Sequence, residues 1–321
     1  MRINQPDPES IAIFLGAGFS AVAGLPLASQ LLDHRPVVDR VTRRKLVDRV
    51  VTRWEEWRSH NEGTTEEYLA QLAFSDHRAF RDAVWFVGLA VTLQMGQLQM
   101  VGSNPTIIKH NLDRTSTPEL ERFWSVIFGA RTDVTVVTTN FDILAERGLR
   151  HVPRPRAKRP GFNYGFGREN LAGGGYPAYS HIQKISAEGK VPLLKLHGSV
   201  SWSLRNDLLV KYHDCRPAIR GDPAIVAPIV EKTVPQYLRP TWKAASTQLR
   251  RAKTWIVVGY SLPLYDQAVH SLLRQASQSD TTIHIFDPDV SVATRFRDLT
   301  QNIHSHPGLP EGLDQLIDVL N

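Results

Sequence analysis

Residues 11–26 read IAIFLGAGFSAVAGLP. An apolar run at 11–15 stops at Gly16 and Gly18, and a small-residue stretch then leads to Leu25 and Pro26. The run is too short for a helix and reads as a buried strand. Gly16, Gly18 and Ala21 fit the G-x-G-x-x-G/A spacing of a dinucleotide phosphate turn. In that reading Gly16 allows a tight turn and Gly18 lets backbone N–H groups approach a pyrophosphate. The helix that follows offers its positive end to the anion. An ordinary strand-to-helix turn is the alternative. In a hydride-transfer Rossmann unit a second strand ends in an acidic residue about 20 residues later. Here Gly24, Leu25 and Pro26 interrupt and helical patterns continue, which speaks against a standard redox enzyme.

Working outward, four more short apolar runs read as strands: VTVVT at 134–138, LLKL at 193–196, WIVV at 255–258 and IHIF at 283–286. AIVAP at 224–228 is a candidate sixth. Near-continuous hydrophobicity, without alternation, implies a sheet covered on both faces. Helical patterns lie between the runs. Val47, Val50, Val51 and Trp54 recur at i, i+3, i+4 and i+7. Thr64 and Glu67 stand at capping-box spacing. Residues 83–100 read as a mostly buried helix, 117–129 as a helix with Pro118 near its first position, and 265–276 as an amphipathic one. The expected fold is therefore α/β, a Rossmann-like parallel sheet with helices on both faces. The block from about 30 to 130 is too long for one crossover and reads as an inserted helical module. A basic Pro/Gly-rich insertion covers approximately 150–190, densest at 150–180. It reads as a solvated surface loop, or as a lid or arm that contacts an anionic ligand or nucleic acid.

Composition bounds the function. The chain has 321 residues, 42% of them hydrophobic and 22% charged, which suits a globular protein with a sizeable core. Its net charge of +6 permits an anionic ligand or nucleic acid without requiring either. The single cysteine, Cys215, excludes a disulfide within the chain and any multi-cysteine zinc site. No signal-peptide pattern opens the sequence, and AVWFVGLAV at 83–91 is far short of the roughly 20 residues of a membrane span. A cytoplasmic protein without a membrane partner is expected.

Each strand candidate ends in a polar or glycine-bearing cluster: GAGFS, TTNFD, KLHGS, VGYSLP and IFDPD. In open α/β sheets ligands bind outside the carboxyl ends of the strands, so five such clusters argue for one site. Asn140 and Asp142 follow a strand, and either can instead cap the helix behind it. His197 sits at a strand end, where a histidine is either structural or a general base. Gly259 and Ser261 can form a second polar clamp, or belong to a turn at Pro263. Asp287 can accept both hydroxyls of a ribose, or cap the helix after it.

GAGFS, TTNFD, KLHGS and GYSLP, in this order, resemble the sirtuin family over about residues 11–290. The nearest likeness is to its divergent bacterial branch, the sirtuin-like domains of antiviral defence proteins. The stretch 227–245 also looks like this branch. The resemblance implies that Gly16, Ala17, Gly18 and Ser20 form the NAD phosphate turn. It places Asn140 and Asp142 beside the nicotinamide ribose and makes His197 the catalytic histidine. It sets Gly259 and Ser261 against the phosphate and adenosine ribose, with Asp287 near the adenosine ribose. Deacylase sirtuins carry a Pro-Asp-Phe-Arg run after the glycine turn and four zinc cysteines. Here Pro26 is followed by Leu27, Ala28 and Ser29, and one cysteine is present, so a zinc ribbon is absent or replaced. His197 also lies 57 residues after Asn140 (197 − 140), farther than in deacylases.

These departures remove parts that bind an acyl-lysine peptide and leave an NAD-cleaving core. The expectation is an NAD glycohydrolase, with NAD as substrate and no metal implied, acting in antiviral defence by NAD depletion. The alternatives are an NAD-dependent deacylase or ADP-ribosyltransferase, and a non-catalytic NAD- or ADP-ribose-binding subunit. Because the sirtuin-like region takes up nearly the whole sequence, a separate sensor subunit, such as a hexameric translocase ATPase or a short Argonaute, and control by homo-oligomerisation are also expected.

Overall fold

The structure, a computed structural model, describes residues 10–33, 41–95, 97–101, 104–109, 118–130, 133–151, 161–165, 190–205, 208–211, 222–227 and 234–320. Strand β1 (Ile11–Leu15) runs into a one-turn helix, α1 (Ala17–Ala21). Helices α2 (Val41–His60), α3 (Thr65–Ser75) and α4 (His77–Gln94) follow. A hairpin, β2 (Gln97–Val101) and β3 (Asn104–Lys109), and helix α5 (Pro118–Ala130) complete the stretch before the next sheet strand. Then come β4 (Val134–Thr138), α6 (Leu144–His151), β5 (Gly161–Asn163) and β6 (Lys190–Lys195). Strands β7 (Gly198–Arg205), β8 (Leu208–Lys211) and β9 (Pro223–Ile225) lead to α7 (Arg239–Arg251). The chain ends with β10 (Thr254–Val258), α8 (Gln267–Ala276), β11 (Thr282–Phe286), α9 (Val292–Arg295), β12 (Ile303–His306) and α10 (Leu313–Leu320).

Seven strands form one parallel sheet in the order β12-β11-β10-β1-β4-β6-β5. The chain leaves β1 toward β4 on one side and returns through β10 on the other, so the order reverses at β1. This is the switch point at which open α/β sheets bind ligands. Both faces are covered, as the continuous apolar runs require. Ile11, Ile13 and Leu15 pack with α2–α5 and α10, while Ala12 and Phe14 pack with α7 and α8. The helical periodicity is seen directly: Val47, Val50, Val51 and Trp54 are all buried on one face of α2.

Three sequence expectations change. The helix over 83–100 stops at Gln94, because residues 97–101 pair with β3 as a strand. AIVAP does not join the parallel sheet. Its first two residues belong to β9, the edge of a three-stranded antiparallel sheet ordered β8-β7-β9 that packs on α4. Helix α9 is a single turn that Asp287 does not cap. Asp287 Oδ1 accepts from Asp289 N at 2.9 Å, two residues before the helix N-cap, Ser291. Cys215 and most of the basic 150–190 segment lie outside the described residues.

Candidate functional site

The glycine turn is an interlock between two loops. Gly259 follows β10 with φ +59°, in the left-handed region that favours glycine. Its Cα faces Gly18, and a Cβ on Gly18 would stand 2.7 Å from it. A Cβ on Gly16 would run into the Gly259 carbonyl. The N–H groups follow the same packing: Gly16 donates to Val258 O at 3.0 Å, Gly18 to Gly259 O at 2.9 Å, and Gly259 to Phe286 O at 3.0 Å. The Gly18 N–H is committed to the neighbouring loop, and glycine is required there because two backbones touch. Just beyond, Leu262 is fully buried with φ +49°, a strained conformation of the kind that clusters at functional loops.

Asn140, Ser20 and Asp142 form one directed hydrogen-bond chain. Asn140 Nδ2 donates to Gly16 O at 2.7 Å and to Ser20 Oγ at 2.9 Å. Ser20 Oγ in turn donates to Asp142 Oδ2 at 2.7 Å. With both amide hydrogens engaged, Asn140 offers only its Oδ1, an acceptor, to a ligand. Asp142 Oδ1 accepts from Leu144 N at 2.8 Å, so this residue caps α6 as well as holding Ser20. Burial pushes the Asp142 carboxyl above its ordinary range, against the opposing pull of Lys195, Ser20 and the Leu144 N–H. Lys195, 1% exposed, donates to Asp142 O and lies 3.4 Å from Glu146 Oε1, which anchors the loop from below.

His197 closes the turn after β6. Gly198, at φ +78°, makes this turn, and a Cβ there would collide with the Ala224 carbonyl of β9. His197 O accepts from Val226 N at 2.8 Å, Val200 N donates to Phe141 O at 2.9 Å, and Trp242 Nε1 of α7 donates to Leu196 O at 2.9 Å. The imidazole is buried, its Nε2 3.4 Å from Asp266 Oδ1. Tyr260 OH donates to Asp266 Oδ2 at 3.0 Å. Burial, with the Asp266 carboxylate beside it, pushes the Tyr260 hydroxyl well above its ordinary value.

These loops enclose one cavity of about 480 Å³. Every candidate residue except Gly16 lines it: Ala17, Gly18, Ser20, Asn140, Asp142, His197, Gly259, Ser261 and Asp287. Gly16 stands behind the wall and accepts from Asn140. Burial raises the Asp287 carboxyl, and Arg295 Nη1 donates to Ser261 O at 2.9 Å. Sequence reasoning missed Asp266 and Glu66, which also line the cavity. Glu66, on α3, is 3% exposed and accepts from Tyr265 OH at 2.9 Å. Both acidic residues stand at helix starts, where capping explains them fully from sequence. Among the described residues, no group of three or more His, Cys, Asp or Glu is arranged to hold a metal, and no helix is long and apolar enough to cross a membrane.

The fold and site define a doubly wound α/β protein with a small-molecule cavity at the carboxyl edge of its sheet. The model of the SIR2-like domain matches residues 134–302, more than half of the chain, and the protein belongs to that family. The structure is similar to that of a Sir2 homologue in complex with NAD, at 14% identity over 98% of this chain and 90% of that one, with a TM-score of 0.53. It is also similar to a Sir2 homologue mutant in complex with 2′-O-acetyl-ADP-ribose, at 14% identity over 98% and 92%, with a TM-score of 0.51. At these identities the likeness establishes the shared fold. No curated protein matches the sequence.

Proposed function

We propose that the protein is an NAD glycohydrolase, which converts NAD and water to nicotinamide, ADP-ribose and a proton. The observation that carries this reading is the gathering of Asn140, Asp142 and His197 from separate strand ends into the lining of one cavity, which Ser261 and Asp287 also line. A cavity of about 480 Å³ suits a small molecule bound in a cleft. Asn140, able only to accept at its free oxygen, orients a water or ribose hydroxyl. His197 takes the proton. The glycosidic bond breaks with its electron pair passing to the nicotinamide nitrogen, through an oxocarbenium-like transition state. Asp142 supports the developing positive charge at a distance and holds Ser20 and Asn140 in place. Asp287 accepts from the adenosine ribose.

The resemblance to the defence branch supports NAD depletion as the biological role. It also supports a single domain, with the block from about 30 to 130 as an inserted module and control by a separate sensor subunit or by oligomerisation. The test is release of free nicotinamide from NAD by the purified protein with its activating partner. Asn140→Ala and His197→Ala are each expected to lower turnover by about 100-fold or more. Unchanged turnover in either variant, or acyl-lysine cleavage in place of hydrolysis, would overturn the reading.

A further inference from the structure

Asp266 is the residue directly before α8, the N-cap position, where aspartate normally accepts from the first free helical N–H groups. Here its side chain makes no capping bond. The backbone secures the helix start instead: Asp266 N donates to Pro263 O at 2.9 Å, and His270 N donates to Asp266 O at 3.0 Å. The carboxylate, 2% exposed, is turned into the cavity wall. Oδ2 accepts from Tyr260 OH at 3.0 Å, and Oδ1 lies 3.4 Å from His197 Nε2. Tyr260 is itself held against Phe14, with ring centroids 4.7 Å apart. The capping residue has thus been diverted to a histidine, and a packed tyrosine fixes its rotamer.

We infer that Asp266 is a positioning residue for His197. Its Oδ1 accepts the proton on Nε2, which leaves Nδ1 as the nitrogen able to take a proton. In the step it serves, the water oxygen bonds to the ribose C1′, the bond from C1′ to nicotinamide breaks toward nicotinamide, and the released proton passes to Nδ1 and then to solvent. Contacts of this kind are often long without substrate and tighten when it binds. The kinetic consequence rests on the hydrolase reading; the tautomer does not.

Nitrogen NMR of the full chain with labelled histidine, the signal assigned by its loss in His197→Gln, reads the tautomer directly. A protonated Nε2 is expected. A protonated Nδ1 with a bare Nε2 overturns the inference, whether or not the protein turns over NAD. In the active assembly, Asp266→Asn is expected to lower kcat at least about 100-fold, because an amide can donate to Nε2 and hold the wrong tautomer. KM for NAD should stay within about threefold, since the interaction acts in the transition state. Tyr260→Phe, which keeps the ring packing, should lower kcat by a smaller factor. Wild-type kcat in Asp266→Asn overturns the inference. A protonated Nε2 in a protein that releases no nicotinamide supports the His197–Asp266 pair and removes the hydrolase reading.

Discussion

At Asp142 the needs of the site and of the fold diverge. Burial raises its carboxyl above the ordinary range in the folded state. A carboxylate raised in this way opposes folding at pH values above its folded pKa, and the penalty eases as pH falls through it. Both oxygens accept, one from Ser20 Oγ and one from Leu144 N, and Ser20 in turn holds Asn140. Asp142→Asn removes the charge and keeps the shape. At pH 7 its Tm is expected to equal or exceed that of the wild type, while nicotinamide release falls at least about tenfold, the trade expected where a site carries strain for function. Thermal melts and turnover on the same samples check this. A variant that melts lower and stays active would reverse the assignment.

Elements were legible where local chemistry and tertiary role agree. The capping box of α3 is one case: Glu67 N donates to Thr64 Oγ1 at 3.3 Å, and Thr64 N to Glu67 Oε2 at 2.8 Å. Thr64→Ala is expected to cost about 1 kcal/mol in denaturant unfolding, and a loss within error would show that the module holds α3 without its cap. Five of the seven parallel strands were legible for the same reason, since burial on both faces leaves an unbroken apolar run. Strand β7 was not, because GSVSWSLR carries serines that the fold buries: Ser199 and Ser201 bond to each other at 3.1 Å inside the core. Asp266 and Glu66 were hidden by position, since an acidic residue at a helix start already has a sufficient local explanation. The β11–β12 edge adds a pH dependence that no local pattern announces. His284 stacks on His304 and lies 3.1 Å, Nδ1 to Nε2, from His306. Burial, then the neighbouring histidines, push His284 down to about 4. The unfolded value is about 6.5, so this contribution is fully present above that pH and is lost as pH falls toward 4. Tm should therefore drop over that window, and His284→Gln should flatten the drop. Parallel curves for the two proteins would remove the histidine stack from the acid response.

At the scale of the molecule, the cavity is where the parallel sheet meets the helices that precede β4. Tyr265 of the loop after β10 donates to Glu66 of α3, and Thr65 Oγ1 donates to Ser29 O at 2.9 Å. Residues of both parts line the cavity, so a ligand that fills it is expected to stabilise the whole chain. A ligand that binds only the folded state adds about 2.7 kcal/mol at a hundred times its Kd. His197→Ala, in which turnover is expected to fall by about 100-fold or more, allows NAD itself to be used. NAD and ADP-ribose should each raise the Tm of this variant in a concentration-dependent way. Asp287 gives the measurement its specificity. On the proposed reading, the carboxylate at the end of β11 accepts the adenosine ribose hydroxyls and repels a phosphate on the 2′ oxygen, so NADP should shift Tm less than NAD at equal concentration. Asp287→Ala should narrow that difference from both sides, by weakening NAD and relieving NADP. Equal shifts for the two dinucleotides in the Asp287 protein would mean that the adenosine ribose lies elsewhere in the cavity, and that the strand-end carboxylate serves only the turn it forms with Asp289.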